Sequence, residues 1–212
     1  MKRQQLEIAL SHLENSPSPK LAYEAYDLNP AAVSEILFLA ETRYGDLKNR
    51  SVLDLGCGSG ILAIGAALLG AKEVVGIDIN SESVEAAKRN AHLVQVVADF
   101  IAGDIEAIRG TFDVTVMNPP FGTRKKGVDV IFLQKAMSVS KRVYSLHKRG
   151  EQNRMFLRNK VESLRGSVDA IFEIGIEIAK TYEFHKKRRY SVDADLYRVV
   201  VNSHSRSDNV LE

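Results

Sequence analysis

The stretch that most limits what this chain can become lies between residues 51 and 78. An apolar run, Ser51-Val52-Leu53-Asp54-Leu55, passes into Gly56-Cys57-Gly58-Ser59-Gly60. An apolar segment from Ile61 to about Leu69 follows, and then a second run, Glu73-Val74-Val75-Gly76-Ile77-Asp78. Short runs rich in β-branched residues read as strands, and the longer apolar segment between them reads as a helix. Two strands joined through a helix lie parallel, because a hairpin turn cannot reverse the chain there.

The alternation continues down the chain. A helix from about Ser81 presents Val84, Ala87 and Ala91, with Asn80 or Ser81 as its cap. Strands follow at Val97 to Ile101 and Phe112 to Met117, then a helix from Asp129. A fifth strand spans Arg142 to Leu146 and a helix Gln152 to Leu164. A long strand from Val168 to Ala179 and a final strand from Asp195 to Val201 close the pattern as a hairpin at the sheet edge. The prediction is an α/β fold with a doubly wound, mostly parallel sheet of seven strands and an antiparallel last strand. Upstream, Leu6, Leu10 and Leu13 mark a short amphipathic helix, the breaker Ser16-Pro17-Ser18-Pro19 follows, and a second helix starts near Pro30.

Glycines at a strand end let the backbone take positive φ and approach a ligand with no Cβ in the way. A dinucleotide fingerprint needs a third glycine at position 61, where Ile61 stands, so NAD is disfavoured. Asp78, ending the next strand, is placed to accept both ribose hydroxyls of a nucleoside; its other reading is a helix cap. Asp104, after the third strand, either takes an adenine amine or sits in a surface turn.

A second constellation is Asn118-Pro119-Pro120-Phe121, at the end of the fourth strand. Two prolines hold φ near about −65° and fix where the carbonyls point. The Asn118 side-chain oxygen and the Pro119 carbonyl can accept both hydrogens of a planar amine while Phe121 stacks on the ring that bears it. Accepting both N–H bonds favours a pyramidal nitrogen whose lone pair is free to attack a methyl sulfonium. Taken alone, the same four residues are a tight turn.

Composition narrows the setting. The 212 residues make about one domain, and 45% hydrophobic content supports a single core. With 29 basic against 27 acidic residues, attraction to nucleic acid must come from clustering. The clusters are Arg124-Lys125-Lys126, His147-Lys148-Arg149 and His185-Lys186-Lys187-Arg188-Arg189, all in loops at strand ends, where they are either solvated charge or a cationic rim for phosphates. His147 is either a structural residue or a member of that rim. The lone Cys57 excludes an internal disulfide, no Cys/His cluster has metal-ligand spacing, and no apolar run approaches the ~20 residues of a membrane span. A cytoplasmic protein is expected.

Asp54 to Gly60 followed by Asn118 to Phe121 resembles the S-adenosylmethionine-dependent amino-group methyltransferases. Longer stretches, Asn118 to Asp129, Val143-Tyr-Ser-Leu-His-Lys148, Phe184-His-Lys-Lys187 and Ser191-Val-Asp-Ala-Asp195, resemble methyltransferase-like protein 5 and its archaeal relatives from about Lys20 to Val201. The resemblance implies a Rossmann-like class I fold, S-adenosyl-L-methionine as cofactor, and methylation of the exocyclic N6 amine of an adenosine in small-subunit ribosomal RNA. It further implies a small zinc-binding activator protein as partner. Cofactor contacts are implied at Tyr26, Asp54, Gly56, Cys57, Gly58, Asp78, Ile79, Asp104, Ile105 and Asn118, and catalytic ones at Asn118, Pro119, Pro120 and Phe121. The chain departs at Ala25-Tyr26-Asp27-Leu28, where the family has Gln-Tyr-Pro-Thr. The same chemistry on DNA adenine or on a protein glutamine remains an alternative, as does a non-catalytic binding module.

The expected organisation is an N-terminal helix and arm over 1–30, the methyltransferase domain over 31–203 and a polar tail over 204–212. The edge segment from Val94 to Ile101 carries only Asp99 as a charge and has no proline or lysine, so it lacks the usual protection of a sheet edge. Either a partner such as the activator pairs near Val97 to Ile101, or another part of the chain covers it.

Overall fold

The computed structural model describes residues 1–17, 28–120, 127–179 and 189–202, with backbone alone for 177–179 and 189–192. Strands β1 (Ser51–Leu55), β2 (Glu73–Asp78), β3 (Asp99–Ala102), β4 (Phe112–Met117), β5 (Ser140–Lys148), β6 (Gly166–Ala179) and β7 (Arg189–Val201) form one sheet in the order β3-β2-β1-β4-β5-β7-β6. The first five run parallel, and β7 is antiparallel to both β5 and β6. The strand order reverses between β1 and β4, which opens a crevice at their carboxyl ends, the usual ligand position in such sheets.

Alternation along each strand divides the side chains between two layers. Val52 faces the layer built from α1 (Arg3–Ser11), α2 (Pro30–Tyr44), α3 (Ile61–Leu68) and α4 (Ser81–Leu93), whereas Leu53 and Leu55 face α5 (Val128–Val139) and α6 (Glu151–Ser163). Helix α2 starts where the sequence places it: Asn29 accepts a hydrogen bond from the Ala32 amide at 2.8 Å and Pro30 occupies the first turn. Helix α1 is not set apart from the domain, since Leu6 and Leu10 are buried in the same core as Val33 and Leu37.

Strands β5 and β6 begin two residues earlier than expected, at Ser140 and Gly166, and two further boundaries differ for identifiable reasons. The third strand begins at Asp99, because Val94 closes α4 and Gln95 takes a left-handed φ of 57°, which turns the chain out of line before the ladder can form. The unpaired edge is therefore four residues long. The last strand starts at Arg189, since its register with β6 runs on to Ala179↔Arg189, and pairing rather than apolar content extends it.

Candidate functional site

The carboxyl ends of β1, β2 and β4 come level. Leu55 pairs with Ile77 on one side and Met117 on the other, so the glycine turn, Asp78 and Asn118 all emerge at one edge of the sheet. The Gly56 and Cys57 amides donate to the Ile77 carbonyl at 2.8 and 3.0 Å, folding the turn back over β2. Gly60 caps α3 with φ of 83°, and a Cβ there would lie 2.9 Å from Ala87 and Phe100, so glycine is required by both conformation and space. At Gly58 a Cβ would meet, among the described residues, only the Ser16 hydroxyl, at 3.1 Å, so this part of the turn presents its backbone.

Two carboxylates frame the turn. Asp78 accepts from the Gly58 amide at 2.9 Å through Oδ2 and from the Asn80 amide at 2.8 Å through Oδ1. The helix-capping role belongs to Asn80, which accepts from Glu82, so Asp78 is left to brace the turn. Asp54 is buried on β1 and accepts from the Ala63 amide at 3.0 Å through Oδ2, while Oδ1 has no partner among the described residues. Burial pushes the Asp54 carboxyl up to about 7, the Ala63 hydrogen bond opposes that, and Asp78 adds to it. Burial also pushes the Cys57 thiol up, which makes it an inert packing residue.

Ile79 stands 56% exposed just past β2, an apolar face at the mouth of the crevice, whereas Ile105 is buried behind it in the α5–α6 layer. Asp104 caps the short 3-10 turn Ile105–Ala107, accepting from Glu106 at 2.8 Å, so the surface-turn role exists beside any contact with a ligand. Asn118 is half-buried and Pro119 buried at the end of β4. Tyr26, Phe121, Arg124, Lys125, Lys126, His185, Lys186, Lys187 and Arg188 lie outside the described residues, and Arg189 is described by its backbone alone.

Of the two readings of His147, its contacts match the structural one: only 2% exposed, it holds a 2.7 Å hydrogen bond with the Ser145 hydroxyl, sits 3.6 Å from Asp129 and meets Tyr197 edge to face. Its partner in the ladder is Asp195 of β7. The nearby His147 ring lowers the Asp129 carboxyl below its ordinary range. Lys148, the next residue, is exposed at the strand end.

Sequence reasoning missed Asn90. Buried on α4, it donates to the carbonyls of Glu14 and Ser59 at 2.9 and 3.0 Å and accepts from the Glu14 amide at 2.8 Å, which ties the segment after α1 to the glycine turn. Arg89 adds an ion pair to Glu14 at 2.9 Å. The available signal was an asparagine at the buried helical spacing of Ala87 and Ala91. Among the described residues no helix is long and apolar enough to cross a membrane.

Known proteins share this arrangement in two unequal ways. The family model for ribosomal protein L11 methyltransferase (PrmA) matches residues 36–119, the part that holds the glycine turn and ends at the Asn118 loop. Nearly the whole chain aligns with rRNA N(6)-adenosine-methyltransferase METTL5 of Danio rerio, 33% identical over 93% of this chain and 98% of that one. The Drosophila melanogaster Mettl5 is 30% identical over 96% and 98%. A crystal structure from Pyrococcus horikoshii, of a protein proposed to be an RNA methyltransferase, superposes with a TM-score of 0.88 at 34% identity, covering 96% of this chain and 99% of that one.

Proposed function

The chain belongs to the METTL5 family of rRNA N(6)-adenosine methyltransferases, and from that premise we propose that it methylates the exocyclic N6 of an adenosine in ribosomal RNA, specifically that of the small subunit. The observation that carries the reading is the register of β1 with β4. Leu55↔Met117 sets the glycine turn and Asn118 side by side on strands about 4.8 Å apart, donor site against acceptor site.

The residues present suit S-adenosyl-L-methionine, which supplies an electrophilic methyl sulfonium. The unmatched Asp54 Oδ1 is a buried acceptor suited to a cationic amino group, and the bare backbone at Gly58 admits close approach. Asp78 holds the turn and accepts ribose hydroxyls, and Ile79 offers an apolar face to the adenine ring. On the acceptor side, Asn118 and the Pro119 carbonyl receive the two N6 hydrogens of a flipped adenine, orienting its lone pair. No strong base is needed, because the methylated ammonium is acidic.

Methyl transfer from labelled cofactor to ribosomal RNA tests this. Asn118→Ala should lower turnover by roughly 10²-fold or more while leaving cofactor affinity near wild type. An active Asn118→Ala enzyme, or label entering only DNA or a protein glutamine, would sink the reading. Comparing small-subunit RNA from strains with and without the protein locates the nucleotide.

The activator belongs to the same proposal. The β3 edge is short and unpaired within the sheet, and Val97 (91% exposed), Leu93 and Ile101 leave apolar surface beside it. The Gly103 amide donates inward to Asp78, so the amides of Ala102 and Phe100 point outward by the alternation of a parallel ladder. A zinc-binding activator adding a strand there would use them. Ala102→Pro removes one outward donor and should abolish co-purification with the activator while the isolated chain melts as before. Retained binding would place the partner elsewhere.

A further inference from the structure

We propose that the cleft at the carboxyl end of β5 takes the nucleotide next to the target adenosine, its base stacked on Phe156 and its phosphate on Lys148. The inference rests on the RNA-methylating reading above and adds a second contact point on the polymer. Position comes first. Met117 pairs with Ser145, so Asn118 lies level with Leu146 and Pro119 with His147 on the neighbouring strand. A cleft of about 450 Å³ opens at this point, lined by Asp129 of α5, by His147 and Lys148 at the end of β5 and by Gln152, Asn153 and Phe156 of α6. That volume is in the range of small-ligand sites, about 300–1,000 Å³.

The side chains divide into those already engaged and those left for a ligand. His147 is fixed by Ser145 and Tyr197 and makes a rigid floor. Asn153 donates to the Lys148 carbonyl at 2.7 Å and holds the turn between β5 and α6. Arg149 is drawn to Asp195 and Glu173, both at 3.4 Å, so its charge is matched inside the protein. Lys148, by contrast, has no carboxylate partner among the described residues. Phe156 is 52% exposed although its neighbour Leu157 is fully buried, so the ring does nothing for the core. An exposed ring beside an unmatched cation, one strand from an amine-methylating loop, is the pairing that single-stranded nucleic acid uses, base on the aromatic face and phosphate on the cation. The exposed amide of Gln152 is free to meet a base edge.

The test pairs Phe156→Ala with RNA substrates lacking a base on one or the other side of the target. On intact RNA, Phe156→Ala should lower kcat/KM and RNA affinity roughly tenfold to a hundredfold, with cofactor affinity and melting unchanged. Deleting the base on one side should cost the wild type the same factor and cost Phe156→Ala nothing more. Lys148→Ala should reduce the salt-dependence slope of RNA binding by about one. Equal RNA binding with and without the Phe156 ring, or losses that add for both abasic substrates, would overturn the assignment. So would a variant that instead loses a protein partner while handling RNA normally. The two readings fail separately: RNA bound through Phe156 but never methylated removes the enzymatic function alone, and RNA methylated equally by both proteins removes the cleft's role alone.

Discussion

Asp46 and Asp54 are both buried carboxylates, 2% and 1% exposed, and they are handled in opposite ways. Asp46, just beyond α2, accepts from the Tyr144 hydroxyl at 2.7 Å and the Arg198 guanidinium at 2.9 Å, with Arg142 at 3.1 Å on its other oxygen. Arg198 is held further by Asp169 at 2.8 Å and by the Tyr44 ring, 4.0 Å from its centroid. Burial and the adjacent Asp46 push the Tyr144 hydroxyl well above its ordinary range, so its proton stays in the network. Among the described residues Asp54 has a single amide for company and one oxygen with none. The fold surrounds the first carboxylate with cations and leaves one oxygen of the second without a partner among the described residues, so two buried acids meet opposite surroundings.

The largest test of that contrast is Asp46→Ala. It removes the carboxylate shared by Arg198, Arg142 and Tyr144, leaving Asp169 as the one carboxylate on Arg198 among the described residues, and should cost about 3–5 kcal/mol of stability in urea denaturation, with cofactor affinity of the folded protein unchanged. Asp54→Asn should do the reverse: stability kept or raised, because an unmatched buried acid is gone, and cofactor binding weakened by about 1–3 kcal/mol in calorimetry. Equal destabilisation by the two variants would break the comparison.

A smaller effect sharpens it. The folded Asp54 carboxyl keeps its proton up to about 7, against 3.8 for the free side chain, so between those values the folded protein binds more protons than the unfolded one. Its contribution to stability is full below about 4 and is lost as pH rises towards 7, at no more than about 1.4 kcal/mol per pH unit. That slope should be absent from Asp54→Asn. For the same reason, cofactor binding near pH 6 should release a proton, detectable as a dependence of the calorimetric heat on the buffer's ionisation enthalpy.

Much of this was written in local pattern. The unit from Ser51 to Asp78 appears almost as read, because strand alternation, the glycine turn and the apolar helix each act within a few residues. The start of β3 was misread because Val96 and Val97 have strand-forming side chains, while the left-handed Gln95 that turns the chain before them leaves no comparable mark. The early start of β7 depends on a partner strand, where Arg189 pairs with Ala179 across the intervening segment. The two readings of His147, structural residue or rim member, both stayed open in the sequence because nothing near it reveals that Tyr197 lies against it.

What the amino-acid sequence determined by itself is the order of elements, the glycine turn and the Asn118 loop, since these follow from side-chain periodicity and backbone freedom over short spans. Only the tertiary structure decided which of two buried carboxylates is satisfied, that Asn90 ties Glu14 to the turn, and that Phe156 and Lys148 flank one cleft. Burial and charge compensation are properties of what surrounds a residue, and those surroundings come from segments far apart along the chain.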